Sequence, residues 1–184
     1  MAHQSIDTLI PPLVWVIGYL FPFPFSVDIM ILSDREIVGF DEMVDVVRNC
    51  DVCRLGINTD GAPYILPLNF GMSVEDGVLA LYFHGALEGL KYDLIEKDPH
   101  VSFEMDCNHR LVIDEGKGMC TMNYRSIIGE GTIEDVPVED RYDSLKLILA
   151  HYGRDDLPVP DRLIHITRVL KLTVTRMTGK SYKY

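Results

Sequence analysis

Two short turns constrain this chain more than any other feature. Thr59-Asp60-Gly61 and Glu75-Asp76-Gly77 separate runs rich in β-branched, aromatic and aliphatic residues. An Asp-Gly pair tolerates the positive φ that a tight hairpin requires, so the flanking runs are predicted to be antiparallel neighbours. They are Val52 to Asn58, Tyr64 to Met72 and Val78 to Phe83. Pro67 interrupts the second run and removes a ladder donor, which places that strand at a sheet edge or a bulge. The third run is apolar throughout and reads as a strand buried on both faces.

The same reading extends along the chain. His100 to Asp106 is a fourth strand, and residues 108–118, polar and holding Gly116 and Gly118, are expected to form a loop. Met119 to Asp135 is a long strand, interrupted at Gly129 and Gly131 as a bent barrel strand would be. Val169 to Met177 alternates apolar and polar and closes the set. Three helices are expected between these strands. The first opens at Phe40-Asp41-Glu42 with Asp41 as N-cap and Met43, Val46, Val47 and Cys50 on one face. The second runs from about Leu87 to Lys97 and stops at Asp98-Pro99. Pro137 begins the third, with Val138, Tyr142, Leu145, Leu149 and Tyr152 spaced by threes and fours before Gly153. The sum is a mainly β chain with peripheral helices: six antiparallel strands in a small barrel rather than a doubly wound sheet.

The first 32 residues read differently. No charged residue occurs between Asp7 and Asp28, yet Pro11, Pro12, Pro22 and Pro24 bracket an apolar stretch, Leu13 to Phe21, too short to span a bilayer. No Lys or Arg precedes Arg35, so the cationic start of an export signal is missing. Residues 1–32 are therefore expected to be an apolar extension outside the core fold, with Met30 a candidate natural start, and residues 33–184 to form the domain. An apolar arm packed on a partner subunit is the alternative. The net charge of −11 argues against nucleic acid and against anionic lipid as partners. Any anionic ligand must be gripped by a few local cations. Cys50, Cys53, Cys107 and Cys120 show no repeated spacing, which fits reduced thiols in the cytoplasm. Cys50-x-x-Cys53 has no second pair and would join a helix end to a strand start, so no metal site is expected.

Chemistry concentrates where the third strand hands over to the second helix, at Leu81-Tyr82-Phe83-His84-Gly85-Ala86-Leu87-Glu88-Gly89-Leu90-Lys91. Backbone N–H groups at a helix start attract an anion, Gly85 and Gly89 allow close approach, and Lys91 adds a full charge for a phosphate. The plain alternative is a loop with a surface lysine.

Four blocks, "LGINTDGAPYILPLNFGM", "LYFHGALEGLKYDLIEKDPHVSFEMD", "YRSIIGEGTI" and the terminal "TGK", resemble in order and spacing the nitroimidazole-resistance branch of the pyridoxamine 5′-phosphate oxidase-like flavoproteins. The resemblance spans Ser33 to Lys180. It implies a split β-barrel that forms homodimers, with FMN in clefts between the subunits, and reductase-type activity that includes reduction of nitroimidazole drugs in some members. By the same resemblance, Pro67, Leu68, Asn69 and Phe70 would lie along the isoalloxazine and ribityl chain. Phe83, His84, Gly85, Ala86 and Lys91 would face the ring and the phosphate. Arg125 and Ser126 would add donors, and Lys180 would match the terminal lysine. Each residue also has a structural reading: an edge-strand proline for Pro67, a turn-former for Asn69, an ion pair with a carboxylate for Arg125. His84 is either the catalytic group, able to donate the proton that nitro reduction consumes, or a histidine that only hydrogen-bonds. The arginine-rich set that true pyridoxamine phosphate oxidases use for a second phosphate is missing. With no GxGxxG to retain a dinucleotide, NAD(P)H would be a transient donor. The competing function is a barrel that binds flavin or haem without turnover, with His84 or His165 as a haem ligand.

Overall fold

The computed structural model describes residues 33–182. The expected extension over residues 1–32 therefore lies outside the described residues. After a short 3₁₀ turn at Ser33–Arg35 come β1 (Glu36–Ile37), α1 (Phe40–Asn49), β2 (Cys53–Ile57), β3 (Tyr64–Leu68), β4 (Phe70–Glu75), β5 (Val78–Gly85) and α2 (Leu90–Lys97). Then follow β6 (His100–Asp114), β7 (Met119–Asp135), α3 (Arg141–His151), α4 (Asp161–Ile166) and β8 (Arg168–Tyr182). All strand pairs are antiparallel, in the order β3-β2-β6-β7-β8-β5-β4, with β1 attached to β8. The two ends of that order, β3 and β4, are separated by Asn69 alone. The sheet therefore curls until its edges meet at one corner without being zipped together, which is a split barrel.

Among the described residues eight strands form where six were expected. One of the extra two is the two-residue β1, and the other arises because the run from Tyr64 to Met72 breaks at Asn69 rather than at Pro67. Pro67 stays within β3, which among the described residues pairs only with β2 and so forms a sheet edge, where a proline is tolerated. Glu75 pairs with Val78, and Asp76 and Gly77 have φ of 51° and 77°. Both central residues of that hairpin are thus left-handed, as the Asp-Gly pair foretells.

The core fills the inside of the curl. Leu55, Ile57, Phe70, Leu81, Phe83, Phe103, Met105, Ile127 and Leu172 belong to it, and α1 plugs one end with Val46 and Val47. Each such side chain stabilises the fold by about 1.5–3 kcal/mol. A second cluster joins Ala80, Tyr82 and Val169 to Leu145 and Ile148 of α3. β5 is therefore covered on both faces, as its unbroken apolar run requires. α3 rides close enough on β4 that a Cβ at Gly71 would lie 2.5 Å from the Ile148 nitrogen.

Three local expectations change. Gly39, not Asp41, caps α1, and Asp41 sits in its first turn, where its charge suits the helix dipole. The second helix begins at Leu90 rather than Leu87, because Gly89 adopts φ 151°. The stretch expected as a loop is largely strand: residues 110–114 pair with Met119–Asn123 as a ribbon that continues β6 and β7 past a bulge between Cys107 and Arg110. Their polarity suggested a loop, but pairing with a strand nearby in sequence supplies the hydrogen bonds that a loop would take from water.

Candidate functional site

β5 and β8 build the site from opposite sides. His84 pairs with Val169 and Gly85 with Arg168, so the end of β5 lies beside the start of β8. Phe83 pairs with Phe70, which carries the Asn69 corner up to the same end. The alternation of β5 buries Phe83 and turns His84 outward. Gly85 then leaves the sheet, Gly89 caps α2, and Lys91 stands in its first turn.

Lys91 folds back over the strand end. Its Nζ lies 4.3 Å from the centroid of the Tyr92 ring. A Cβ at Gly85 would fall 2.8 Å from both that Nζ and the Tyr92 hydroxyl, so a side chain here would push Lys91 and the buried Tyr92 aside. Tyr92 is almost wholly buried and donates a 2.6 Å hydrogen bond to the Ala86 carbonyl, which pins the connection between β5 and α2. Among the described residues Lys91 meets no carboxylate. Burial and the nearby Arg168 push its ammonium below the usual lysine range. Burial and Lys91 likewise hold the His84 imidazole below the usual histidine range. The junction is an electropositive, partly desolvated strand end with the His84 imidazole beside it, a setting in which an anion gains more than it would in bulk water.

The other expected residues are distributed unevenly. Ala86 belongs to the junction, but the side chains of Phe70 and Phe83 are core, 0% and 1% exposed, so only their backbones can meet a ligand. The Phe70 N–H already donates to the Tyr152 hydroxyl at 3.1 Å. The Asn69 amide donates to the Asp51 carbonyl and to the Tyr152 hydroxyl, which makes it a corner-former. Pro67 and Leu68 pair with Arg54 and Cys53 on β2. Arg125, Ser126 and Lys180 are not gathered with His84. Arg125 pairs with Ser181 and Ser126 with Lys180, at the opposite end of β8. Val169 and Ser181 are separated by about 40 Å of strand contour at ~3.3 Å per residue. Arg125 is 6% exposed and directs its guanidinium to the Asp45 carboxylate at 2.8 Å and to the Glu42 carbonyl.

Two residues of the junction escaped sequence reasoning. Arg168 stacks its guanidinium carbon 4.1 Å from the Tyr92 ring centroid and pairs with Asp135. Tyr92 lies within the second quoted block but carries no chemistry there by itself, and Arg168 lies in none; the register of β5 against β8, followed by the turn into α2, brings them together. Cys50 caps the end of α1 and Cys53 opens β2, both as unpaired buried thiols raised in pKa by desolvation. Among the described residues no cluster of metal-ligating side chains forms, and no helix is long and apolar enough to cross a membrane.

Comparison with known proteins fits this geometry. The family described as pyridoxamine 5′-phosphate oxidase matches residues 40–181. No curated protein matches the chain. A candidate 5-nitroimidazole antibiotic resistance protein from Bacteroides thetaiotaomicron is 28% identical, with 79% of this chain and 85% of that one covered and a TM-score of 0.68. The FAD and heme binding protein from Mycobacterium smegmatis is 17% identical, with coverage of 82% and 74% and a TM-score of 0.69. A flavocytochrome from Azotobacter vinelandii is 18% identical, with coverage of 81% and 70% and a TM-score of 0.65. The last two speak for the fold alone. With the family pattern running through nearly all of the described sheet, this chain belongs to the pyridoxamine 5′-phosphate oxidase family.

Proposed function

We propose that this protein is a homodimeric, cytoplasmic flavoprotein that holds FMN in clefts between its subunits and works as a reductase. NAD(P)H would be its passing electron donor and a nitroaromatic compound its acceptor. The observation that carries the reading is Lys91: a partly desolvated cation, beside Gly85, that meets no carboxylate among the described residues of a chain with net charge −11. The 28% identical relative named for 5-nitroimidazole resistance supports the acceptor class. The unpaired cysteines suit a reducing compartment.

A bound flavin supplies the electron transfer. The chain supplies the rest. Lys91 and the open backbone at Gly85 bind the phosphate. Leu68, Ala86 and the backbones of Phe70 and Phe83 form a rigid wall, because their elements are fixed by the core. His84 is neutral at pH 7, so it serves first as a hydrogen-bonding group. Its protonation becomes easier once an anion offsets Lys91, and it can then deliver a proton to a reduced acceptor. A dimer would matter to this reading because Ser126 and Lys180 lie far along β8 from His84; a second copy could bring them across the cleft, whereas Arg125 is already committed to Asp45.

Supplying FMN to the purified protein tests this reading. A yellow dimer whose flavin bands bleach with NADH and recover with a nitroaromatic is expected. A colourless monomer after FMN addition would overturn it. A Soret band after haem addition, or flavin bands that never bleach, would favour the binding protein without turnover.

A further inference from the structure

Arg168 occupies a place for which its ion pair alone gives no reason. Asp135 takes Nε and Nη2 of the guanidinium, leaving Nη1 without a hydrogen-bond partner among the described residues. The same guanidinium and the Lys91 ammonium lie 4.1 Å and 4.3 Å from the centroid of one ring, that of Tyr92. Tyr92 is immobilised by burial and by its bond to Ala86. Two cations brought to one buried ring repel each other, and Asp135 is the one carboxylate paired there. A chain with 28 acidic residues had many ways to neutralise the second charge. An arriving dianion would offset both.

Building on the flavin reading above, we propose that Arg168 is the second cation of the phosphate cradle, positioned by Asp135 and the Tyr92 ring, and that the Lys91–Arg168 pair makes the site select a phosphate monoester over the same ligand lacking its phosphate. Lys91 acts as a point charge above Gly85. Arg168 offers the remaining edge of its fork from the facing strand, so the phosphate is held between β5 and β8. Asp135 orients Arg168 and also competes with the ligand for it.

Titration of FMN and of riboflavin, each followed by quenching of flavin fluorescence, tests this on the full chain. The wild-type protein is expected to bind FMN at least about 30-fold more tightly than riboflavin, as two charge-assisted contacts imply. Arg168→Met should lower that ratio about tenfold and leave riboflavin affinity unchanged. Asp135→Asn breaks the same ion pair but frees the guanidinium, so it should keep or raise the ratio. If Arg168 were only a staple between β7 and β8, both substitutions would move binding in the same direction and for both ligands, and the proposal would fail. Should Arg168→Met not fold, Arg168→Lys keeps a charge without the fork. About a threefold drop in the ratio is expected there, and an unchanged ratio overturns the assignment. A wild-type protein that binds neither flavin, or both equally, refutes the flavin-phosphate reading itself. A wild-type preference for FMN that survives intact in Arg168→Met refutes only the role of Arg168.

Discussion

The two ends of β8 use cations in opposite ways. At its far end, Arg125 is buried beneath α1 and its charge is met by Asp45 and the Glu42 carbonyl. At its near end, Lys91 is only partly covered and meets no carboxylate among the described residues, although Arg168 stands against the same ring. Residues of similar chemistry are thus neutralised at one end and left open at the other, where the proposed ligand would bind. A buried charge that is already paired holds the fold together, whereas one left open on a rigid support is poised for a ligand.

The strongest way to break this contrast is to cut the strand between the ends. Gly131 sits at the β7–β8 bulge, where a Cβ would collide with the Thr173 carbonyl. Gly131→Val should cost about 3 kcal/mol or more, because backbone atoms cannot move aside. Urea unfolding would show one cooperative loss in which both ends fail together; a near-wild-type midpoint would mean that the ends are joined by something other than this register.

Next in size is a matched pair of substitutions. Arg125→Met should destabilise by about 2 kcal/mol, less than a fully buried pair because Asp45 is half exposed. Lys91→Met should change stability by no more than about 0.5 kcal/mol while weakening FMN retention about tenfold. Thermal melts with flavin titrations on both variants measure this. Equal destabilisation by the two would erase the distinction drawn here.

The smallest effect is in pH. His84 is held below its ordinary range, so the unfolded chain takes up a proton before the folded one as pH falls. This group therefore leaves stability untouched above the ordinary histidine range and erodes it as pH drops from there toward the lowered folded value. His84→Gln should flatten that part of the stability–pH curve. Inorganic phosphate should flatten it in the wild type too, by offsetting Lys91. Curves that coincide with and without phosphate would show that Lys91 and His84 do not share a site.

Much of this was legible beforehand because the signals were local. The left-handed Asp76-Gly77 turn, the doubly buried run from Val78 to Phe83, the limits of the strand from Met119 to Asp135 and the position of Lys91 near a helix start all follow from residues adjacent in sequence. What was not legible shares a cause. Residues 108–118 read as a loop because polarity is the local signal there, whereas the register that pairs residues 110–114 with Met119–Asn123 is not a local signal. Of the two readings open for Arg125, nothing local favours the ion pair that forms, because its partner Asp45 lies eighty residues earlier.

The amino-acid order by itself determined the hairpin sequence, the alternation of faces, the apolar material for a barrel core and the membership of a flavoprotein-like family. Steric limits on φ, side-chain periodicity and hydrophobic patterning act over a few residues and can be read directly. Only the tertiary structure decided which charges were neutralised and which were left open. That outcome depends on strand register, which set Arg168 beside Gly85 and carried Arg125 to the far end of the same strand. Coulomb energies depend on distance and burial, and neither is set until the sheet has curled into its split barrel.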